Sequence, residues 1–282
     1  MPSPLECSQW ILASYSGVDC TFRTGIAVRM NTKNLTKKNF RSRIYDGTVR
    51  DYWVYVSEAY QAESPANLMV FQDGYYYLDE AKPMRVPDII DKLVRENVIP
   101  PTVCVFVNPG TFEAPSKPEH HPDSQRSLEY DTVSDQYTRF LVNELLPEAL
   151  EGLNVSQDPN KRAAVGFSSG GICAWSVAWF RSDLFGNVLS HCGSFVDIRG
   201  GGKYPYLIRN EAPKPIRMFF QSGENDLDTR YGNWALGNKQ MESALRFKGY
   251  DHKFEFGPEG HNLVHGAELL KTSITWLFGN NA

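Results

Sequence analysis

The sequence of 282 residues lacks the features that mark disulfide-rich, nucleic-acid-binding or fibrous proteins. Its five cysteines are an odd number, widely spaced and without a CxxC pair, so neither a disulfide framework nor a zinc site is expected. Lys and Arg number 29 against 33 Asp and Glu, and the formal net charge is only −4. This balance argues against a protein that binds nucleic acid or an anionic membrane surface. Glycine and proline, with 22 and 17 residues, are too few for a disordered or collagen-like chain.

We also expect no targeting segment in this sequence. The first residues, MPSPLECSQWILAS, lack the basic and apolar segments of a secretory signal, so we expect a cytoplasmic location. One uncharged stretch, residues 163–180, reaches the lower length limit of a membrane span. Three glycines and three serines divide it into two shorter pieces. We therefore expect no membrane partner.

Short runs rich in β-branched or aromatic residues alternate with helical patterns from residue 51 onward. The strand-like runs are 52–56, 68–72, 102–107, 162–167, 187–191, 216–221 and 253–256. Apolar residues recur at a spacing of three to four in the stretches 134–149, 234–247 and 263–278, which is typical of amphipathic helices. The alternation predicts an α/β fold with a mostly parallel central sheet and helices on both faces. We expect one such domain over residues 43–282, with residues 1–42 as an N-terminal extension or edge segment.

A candidate nucleophile lies in the sequence GFSSG at residues 166–170. The motif follows a strand-like run directly and precedes the helical run 172–179, which is the strand–turn–helix setting of a nucleophile elbow. Such an elbow holds its serine, here Ser168, in a strained turn whose flanking glycines let neighbouring chains approach closely. The helix dipole at this point favours a developing anion. The alternative is a glycine-rich turn without chemistry.

A serine hydroxyl needs a base to take its proton, and an acid to hold that base. In this architecture the order along the chain is serine, acid, histidine, each in a loop after a strand. Asp226 supplies the acid, with Glu224 and Asp228 as alternatives. Of six histidines, only His261 lies in a glycine-flanked turn after a strand and downstream of the acid. The predicted triad is Ser168, Asp226 and His261.

An oxyanion hole requires two backbone N–H donors. The amide of Ser169, next to the nucleophile, is one candidate. The second is Tyr75, in the loop after strand 68–72, where Gly74 permits a sharp turn. Tyr76 and Tyr77 would then wall the pocket, although these tyrosines suit half-buried packing equally well.

Two features of the sequence contain pairs of histidines, a residue type that often binds metals. His261 and His265 are four residues apart, but Asn262 follows the first histidine where a zincin has glutamate, and no third ligand is evident. His120 and His121 lie in the polar, proline-rich segment 109–126, whose length is typical of a lid or binding loop. We expect neither a metal nor a cofactor.

Several motifs in the same order resemble the enterochelin-esterase-like family of α/β-hydrolases, which includes feruloyl-type carbohydrate esterases and siderophore esterases. The matching motifs are YDGTVRDYWVYV (45–56), FQDG (71–74), RSLEY (126–130), GFSSGG (166–171), SGEND (222–226) and GHN (260–262). The resemblance runs from about residue 43 to 278 and implies the α/β-hydrolase fold. It maps Ser168 to the nucleophile, Asp226 to the acid and His261 to the base.

The resemblance also places Arg126, Glu129 and Tyr130 beside the active site, as structural or substrate-binding residues. With Gly74 and Tyr76, these are the expected substrate contacts. The predicted function is a serine ester hydrolase that forms an acyl-enzyme on a small, aromatic or polyketide-like ester or lactone. Two alternatives stay open: a lactone-forming or acyl-transferring enzyme with the same triad, and a non-catalytic binding protein on this scaffold. The expected partner is the small-molecule substrate, with a homodimer left open.

Overall fold

The computed structural model describes residues 34–112 and 124–279. The strands of the described part are β1 (Leu35–Arg41), β2 (Thr48–Val56), β3 (Asn67–Gln72), β4 (Thr102–Val107), β5 (Thr111–Phe112), β6 (Arg162–Phe167), β7 (Asn187–His191), β8 (Arg217–Asn225), β9 (Asp228–Thr229), β10 (Gly232–Asn233) and β11 (His252–Gly260). Nine of these strands form one sheet, in the order β1-β2-β4-β3-β6-β7-β8-β11 with β5 beside β2, and β9 pairs with β10 separately.

Strand direction divides the sheet into an antiparallel edge and a parallel majority. The pairs from β4 through β3, β6, β7 and β8 to β11 are all parallel. The pairs that β2 makes with β1, β4 and β5 are antiparallel. Each predicted strand-like run overlaps one of these strands. Residues 35–41 of the predicted extension form β1, at one edge of the sheet, while residues 1–33 lie outside the described residues.

Helices cover both faces of the sheet. They are α1 (Tyr75–Leu78), α2 (Val86–Arg95), α3 (Arg126–Tyr130), α4 (Gln136–Phe140), α5 (Leu146–Ala149), α6 (Ser169–Phe180), α7 (Tyr204–Asn210), α8 (Trp234–Lys248) and α9 (Val264–Phe278). One apolar cluster joins the sheet to α4, α6, α7 and α8, and a second joins it to α2 and α9. Strands β3, β4, β6 and β7 are buried along their whole length between these clusters, which explains their continuous apolar sequences.

One predicted helix is interrupted in the structure. The stretch 134–149 contains α4 and α5, joined by the π-helical segment Leu141–Leu145. Pro147 lies in the first turn of α5 and has no N–H to donate to the carbonyl four residues before it. The widened turn accommodates this missing donor. None of the described helices is long and apolar enough to cross a membrane.

The turn between β6 and α6 depends on Gly166. A Cβ at this position would lie 2.0 Å from the main-chain oxygen of Gly170. We expect Gly166→Ala to lower the free energy of unfolding by about 3 kcal/mol, since the backbone must move to relieve the clash. Urea denaturation measures this loss. Gly202→Ala is the control, because its Cβ would meet no atom closer than 3.8 Å. Equal stability of the two variants would contradict the prediction.

Candidate active site

The three residues of the predicted triad follow three parallel strands. Ser168 follows β6, Asp226 follows β8 and His261 follows β11. These strands run in the same direction in one sheet, with β7 between β6 and β8. Their carboxyl ends therefore meet at one edge of the sheet, the edge at which α/β proteins bind ligands.

The side chains form a continuous hydrogen-bonded chain. Ser168 Oγ lies 2.9 Å from Nε2 of His261, and Nδ1 of His261 lies 2.5 Å from Oδ1 of Asp226. A carboxylate oxygen can only accept, so Nδ1 carries the ring proton and Nε2 faces the serine as an acceptor. This is the tautomer that a general base requires.

The backbone at Ser168 is strained, as an elbow requires. Its φ is +59° and its ψ is −120°, a region that residues with a side chain rarely adopt. The Ser168 N–H donates to the carbonyl of His191 over 2.8 Å, which ties the turn to the end of β7. The strained conformation directs the hydroxyl toward His261.

The acid is held by donors besides the histidine. Asp226 Oδ2 accepts a hydrogen bond from Ser222 Oγ at 2.7 Å, and Oδ1 accepts from the main-chain N–H of Leu227 at 2.8 Å. Glu224 and Asp228, the other candidate acids, are solvent-exposed. Neither is found bonded to the histidine in the part of the chain that the structure describes. The geometry thus singles out Asp226.

Aromatic rings pack against His261 from two sides. The ring of Phe167 lies 4.8 Å from the imidazole between centroids, and Trp234 meets it edge-on at 6.0 Å and 81°. The side chain of His261 is only 6% exposed, and Ser168 is 1% exposed. Packing therefore fixes the imidazole plane and shields the proton path from water.

The two predicted oxyanion donors differ in their surroundings. The Ser169 amide is the first N–H of α6, one of the donors that a helix leaves without a carbonyl partner. The Tyr75 amide instead donates to Oδ1 of Asn108 at 3.1 Å. A substrate oxygen at Tyr75 must therefore take the place of the Asn108 side chain. A Cβ on Gly74 would lie 2.7 Å from the main-chain carbon of Phe106, so this turn requires glycine.

Arg126 links the Tyr75 loop to the elbow. Its guanidinium donates to both carboxylate oxygens of Asp73, each at 2.7 Å, and also to the carbonyl of Phe167 at 3.4 Å. Tyr130 supports the same loop, since its hydroxyl accepts from the Asp73 N–H at 3.2 Å and donates to Val107 O at 3.3 Å. This network stabilises Asp73 at a φ of +60°.

Glu129 binds Arg50 and the Gly110 amide, which lie on neighbouring elements of the scaffold. Its carboxylate accepts two hydrogen bonds from Arg50, at 2.6 and 2.9 Å, and one from the Gly110 N–H at 3.2 Å. Both Glu129 and Tyr130 are about 98% buried or more. Their polar atoms are bonded to the loops around the site, which favours the structural role that the resemblance left open for both residues.

A cavity of about 430 Å³ lies beside Tyr75 and Arg126. Its lining residues are Asp73, Tyr75, Tyr76, Asp79, Lys82, Asn108, Pro109 and Arg126. Tyr76 and Arg126 were predicted as substrate contacts, whereas Asp79, Lys82, Asn108 and Pro109 were not. Asn108 and Pro109 follow the buried strand β4, so the rule that ligands bind at the carboxyl ends of parallel strands could have found them. Residues 113–123, with His120 and His121, lie outside the described residues, and the predicted lid stays a prediction.

Cys192 lies beside Asp226 and His261. Within residues 34–112 and 124–279, Cys192, Asp226 and His261 form the one group of three metal-ligand types, with their ligand atoms within 4.8 Å of one another. Burial raises the pKa of the Cys192 thiol well above its ordinary value, so the thiol stays protonated and is a weak ligand. The other two residues are already hydrogen-bonded, because His261 contacts Ser168 through Nε2 and Asp226 through Nδ1. The cluster suits proton transfer better than metal binding.

Asp131, at the end of α3, lies buried against Arg126, Ser127 and Ser169. Burial raises its pKa from 3.8 to about 6, although Arg126 opposes the shift. Between these values the folded state holds a proton that the unfolded chain has released, so stability falls as the pH rises. We expect the stability of Asp131→Asn relative to wild type to increase from about pH 4 to about pH 6 and then to stay constant.

Urea denaturation of both proteins across this pH range measures the difference. Asp135→Asn is the control, because Asp135 is exposed in an ion pair with Arg139. A difference between Asp131→Asn and wild type that does not change with pH would contradict the prediction.

Comparison with known proteins identifies the family and the type of fold. Residues 47–257 match the model of the Esterase family ("Putative esterase"). The iron(III) enterobactin esterase of Dickeya dadantii (strain 3937) is 22% identical over an alignment of 276 residues, and the match covers 90% of this chain and 57% of that protein. The enterobactin esterase of Shigella flexneri superposes with a TM-score of 0.68 at 19% identity, over 86% of this chain and 59% of that one.

A ferulic acid esterase from Anaeromyces mucronatus gives a TM-score of 0.64 at 18% identity, over 86% of this chain and 89% of that one. This chain spans under three fifths of the two enterobactin esterases that it matches. The structural likeness confirms the predicted α/β-hydrolase type of fold. The family match covers well over half of the sequence and includes both the elbow and Asp226. The chain therefore belongs to the Esterase family.

Proposed function

We propose that the protein is a serine carboxylic-ester hydrolase that works through an acyl-enzyme. The observation that carries the proposal is the chain of 2.9 and 2.5 Å contacts from Ser168 through His261 to Asp226, built on a strained strand–turn–helix elbow. A serine, a base and an acid in this arrangement are the parts that acyl transfer requires.

The reaction follows from the positions of these atoms. Ser168 Oγ attacks the ester carbonyl, and its proton passes to Nε2 of His261 as the O–C bond forms. Asp226 stabilises the resulting imidazolium. The amides of Ser169 and Tyr75 hold the oxyanion, Tyr75 after exchanging the Asn108 side chain for the substrate oxygen. The alcohol then leaves with the proton from His261, and water attacks the acyl-enzyme by the same route.

The cavity lined by Tyr75, Tyr76 and Arg126 supports a small substrate with an aromatic group. Its volume of about 430 Å³ is within the range of small-molecule sites. Tyr75 and Tyr76, with ring centroids 6.3 Å apart, offer faces and edges to an aryl ring. One similar structure was determined in the presence of 2,3-dihydroxy-N-benzoyl-glycine, and another is named for ferulic acid. We infer that an aromatic ester or lactone is the substrate class.

A second candidate function uses the same triad with an internal acceptor. Ser168 is 1% exposed, so water has little access to an acyl group on it. A hydroxyl of the substrate itself could then accept the acyl group, which would form a lactone or transfer the acyl chain. The chemistry at Ser168 is identical in both cases, and only the acceptor differs.

Product analysis in H₂¹⁸O distinguishes the two. A panel of aryl and alkyl esters and hydroxy-esters is incubated with wild type and with Ser168→Ala, and the products are identified by mass spectrometry. We expect wild type alone to give acids that carry one ¹⁸O atom. Products without ¹⁸O would indicate an internal acceptor. If folded wild-type protein turns over no member of the panel, the proposed activity is wrong.

A further inference from the structure

A second buried hydroxyl lies against the nucleophile. Ser194 Oγ is 3.4 Å from Ser168 Oγ, and the Ser194 N–H donates to the main-chain carbonyl of Ser168 at 3.0 Å. Ser194 is 1% exposed and follows β7, the strand between those that carry the serine and the acid. It touches the nucleophile through both its side chain and its main chain.

The direction of hydrogen bonding at Ser194 is set by Trp234. The indole Nε1–H of Trp234 lies 3.1 Å from Ser194 Oγ, and an indole N–H can only donate. The Ser194 oxygen therefore accepts, which leaves its own proton for another acceptor. Ser168 Oγ is the remaining side-chain partner found for it among the described residues. The Ser168 proton is then directed to His261 Nε2, the atom that takes it in the reaction.

Trp234 contacts the surroundings of all three triad residues. Its main-chain N–H donates to the carbonyl of Leu227, the residue after the acid, at 2.9 Å. Its ring packs edge-on against His261. One turn later on α8, Asn238 Nδ2 donates to the carbonyls of Gly193 and Trp234, each at 2.9 Å. The first turns of α8 thus hold Ser194 in register with the triad.

We propose that Ser194 donates a hydrogen bond to the nucleophile oxygen as charge develops there, and that Trp234 is the positioning residue that orients this donor. The proposal rests on the proposed serine-hydrolase function. When the Ser168 O–C bond forms, the Ser168 proton moves to His261, and Ser194 keeps its own proton throughout. The same donor stabilises the Ser168 oxygen when the acyl group leaves it.

The distance between the Ser194 and Ser168 hydroxyl oxygens indicates that their hydrogen bond acts mainly in the transition state. A separation of 3.4 Å is long for an O–H···O bond, so the contact contributes little while Ser168 is neutral. A partial negative charge on the acceptor shortens and strengthens such a bond. An interaction that strengthens only in the transition state raises kcat without changing KM.

The test compares Ser194→Ala, Trp234→Phe and the double variant in the full chain. The substrate is 4-nitrophenyl acetate, and the rate of labelling by a fluorophosphonate is measured in parallel. We expect Ser194→Ala to lower kcat and the labelling rate by about 10- to 100-fold, with KM changed less than about twofold. Ser273→Ala is the matched control, since this buried hydroxyl binds a carbonyl of its own helix, and it should keep full activity.

Trp234→Phe keeps an aromatic ring but removes the indole donor, and it still tests the proposal if Ser194→Ala does not fold. It should lower kcat less than Ser194→Ala does, and the double variant should be no slower than Ser194→Ala alone. Full activity in Ser194→Ala, or in a folded Trp234→Phe when the alanine variant cannot be obtained, would overturn the proposal. A further loss in the double variant would overturn the role of Trp234. If the fluorophosphonate does not label wild type, the proposed function itself fails.

Discussion

Ser168→Ala is expected to lower kcat with an ester substrate by about 10⁴-fold or more, because it removes the oxygen that attacks the ester in the proposed mechanism. The loss should appear in kcat, while binding of the substrate, measured by equilibrium dialysis or calorimetry, should change little. The Ser168 side chain is small and buried at a turn whose backbone is held by His191 and Ser194, so the variant should fold.

The matched control is again Ser273→Ala, which removes a buried hydroxyl from α9 without touching the triad. Circular dichroism and urea denaturation show whether both variants keep the fold. Activity within about tenfold of wild type in Ser168→Ala would place the nucleophile elsewhere and contradict the mechanism.

Asp226→Asn is expected to lower kcat by about 10⁴-fold. The carboxylate keeps the proton on Nδ1 of His261 through the 2.5 Å contact and stabilises the imidazolium that forms during attack. An asparagine amide is neutral, and its NH₂ group can face Nδ1, which leaves the proton on Nε2 and removes the acceptor that Ser168 needs. The measurement is the kcat of wild type, Asp226→Asn and the two control variants named below, each as a function of pH.

Glu224→Gln and Asp228→Asn are the matched controls, because Glu224, near the end of β8, and Asp228, in β9, lie within two residues of Asp226 in the sequence but are exposed. Each should keep activity within about twofold of wild type, as surface substitutions away from reacting groups usually do. A loss in Glu224→Gln as large as that in Asp226→Asn would show that the acid was wrongly assigned.

The triad geometry could be predicted because each part has a local signal. A glycine-flanked serine between a strand and a helix defines an elbow, and the order of acid and histidine after later strands follows from parallel topology. Parallel strands end at one edge of the sheet, so the three triad residues meet there without any long-range information. Ser168 and Asp226 are 58 positions apart in the sequence, and Asp226 and His261 are 35 positions apart. The structure brings together Ser168, Asp226 and His261 as the sequence predicted.

The contacts around the Tyr75 amide could not be predicted in the same way. The sequence identifies Tyr75 as a donor from its place after β3, but the Asn108 side chain that occupies this amide comes from the end of β4. Glu129 belongs to a motif beside the site, and its partner Arg50 lies 79 residues earlier in the antiparallel part of the sheet. These contacts depend on which strands become neighbours, and no local pattern specifies that.

The Ser194–Trp234 contact illustrates the same limit. The two residues are 40 positions apart, and neither lies in a motif with a known catalytic spacing. Only the packing of α8 against the loop after β7 brings the indole N–H to the serine. A structure is therefore needed to identify side chains that act on the reacting atoms through other side chains.

Intact-mass spectrometry after treatment with a fluorophosphonate tests the central claim most directly. The account predicts one covalent adduct on wild-type protein and none on Ser168→Ala, because only a serine activated by His261 and Asp226 attacks the phosphorus readily. Absence of an adduct on folded wild-type protein, or an equal adduct on Ser168→Ala, would contradict the proposal that Ser168 is an activated nucleophile.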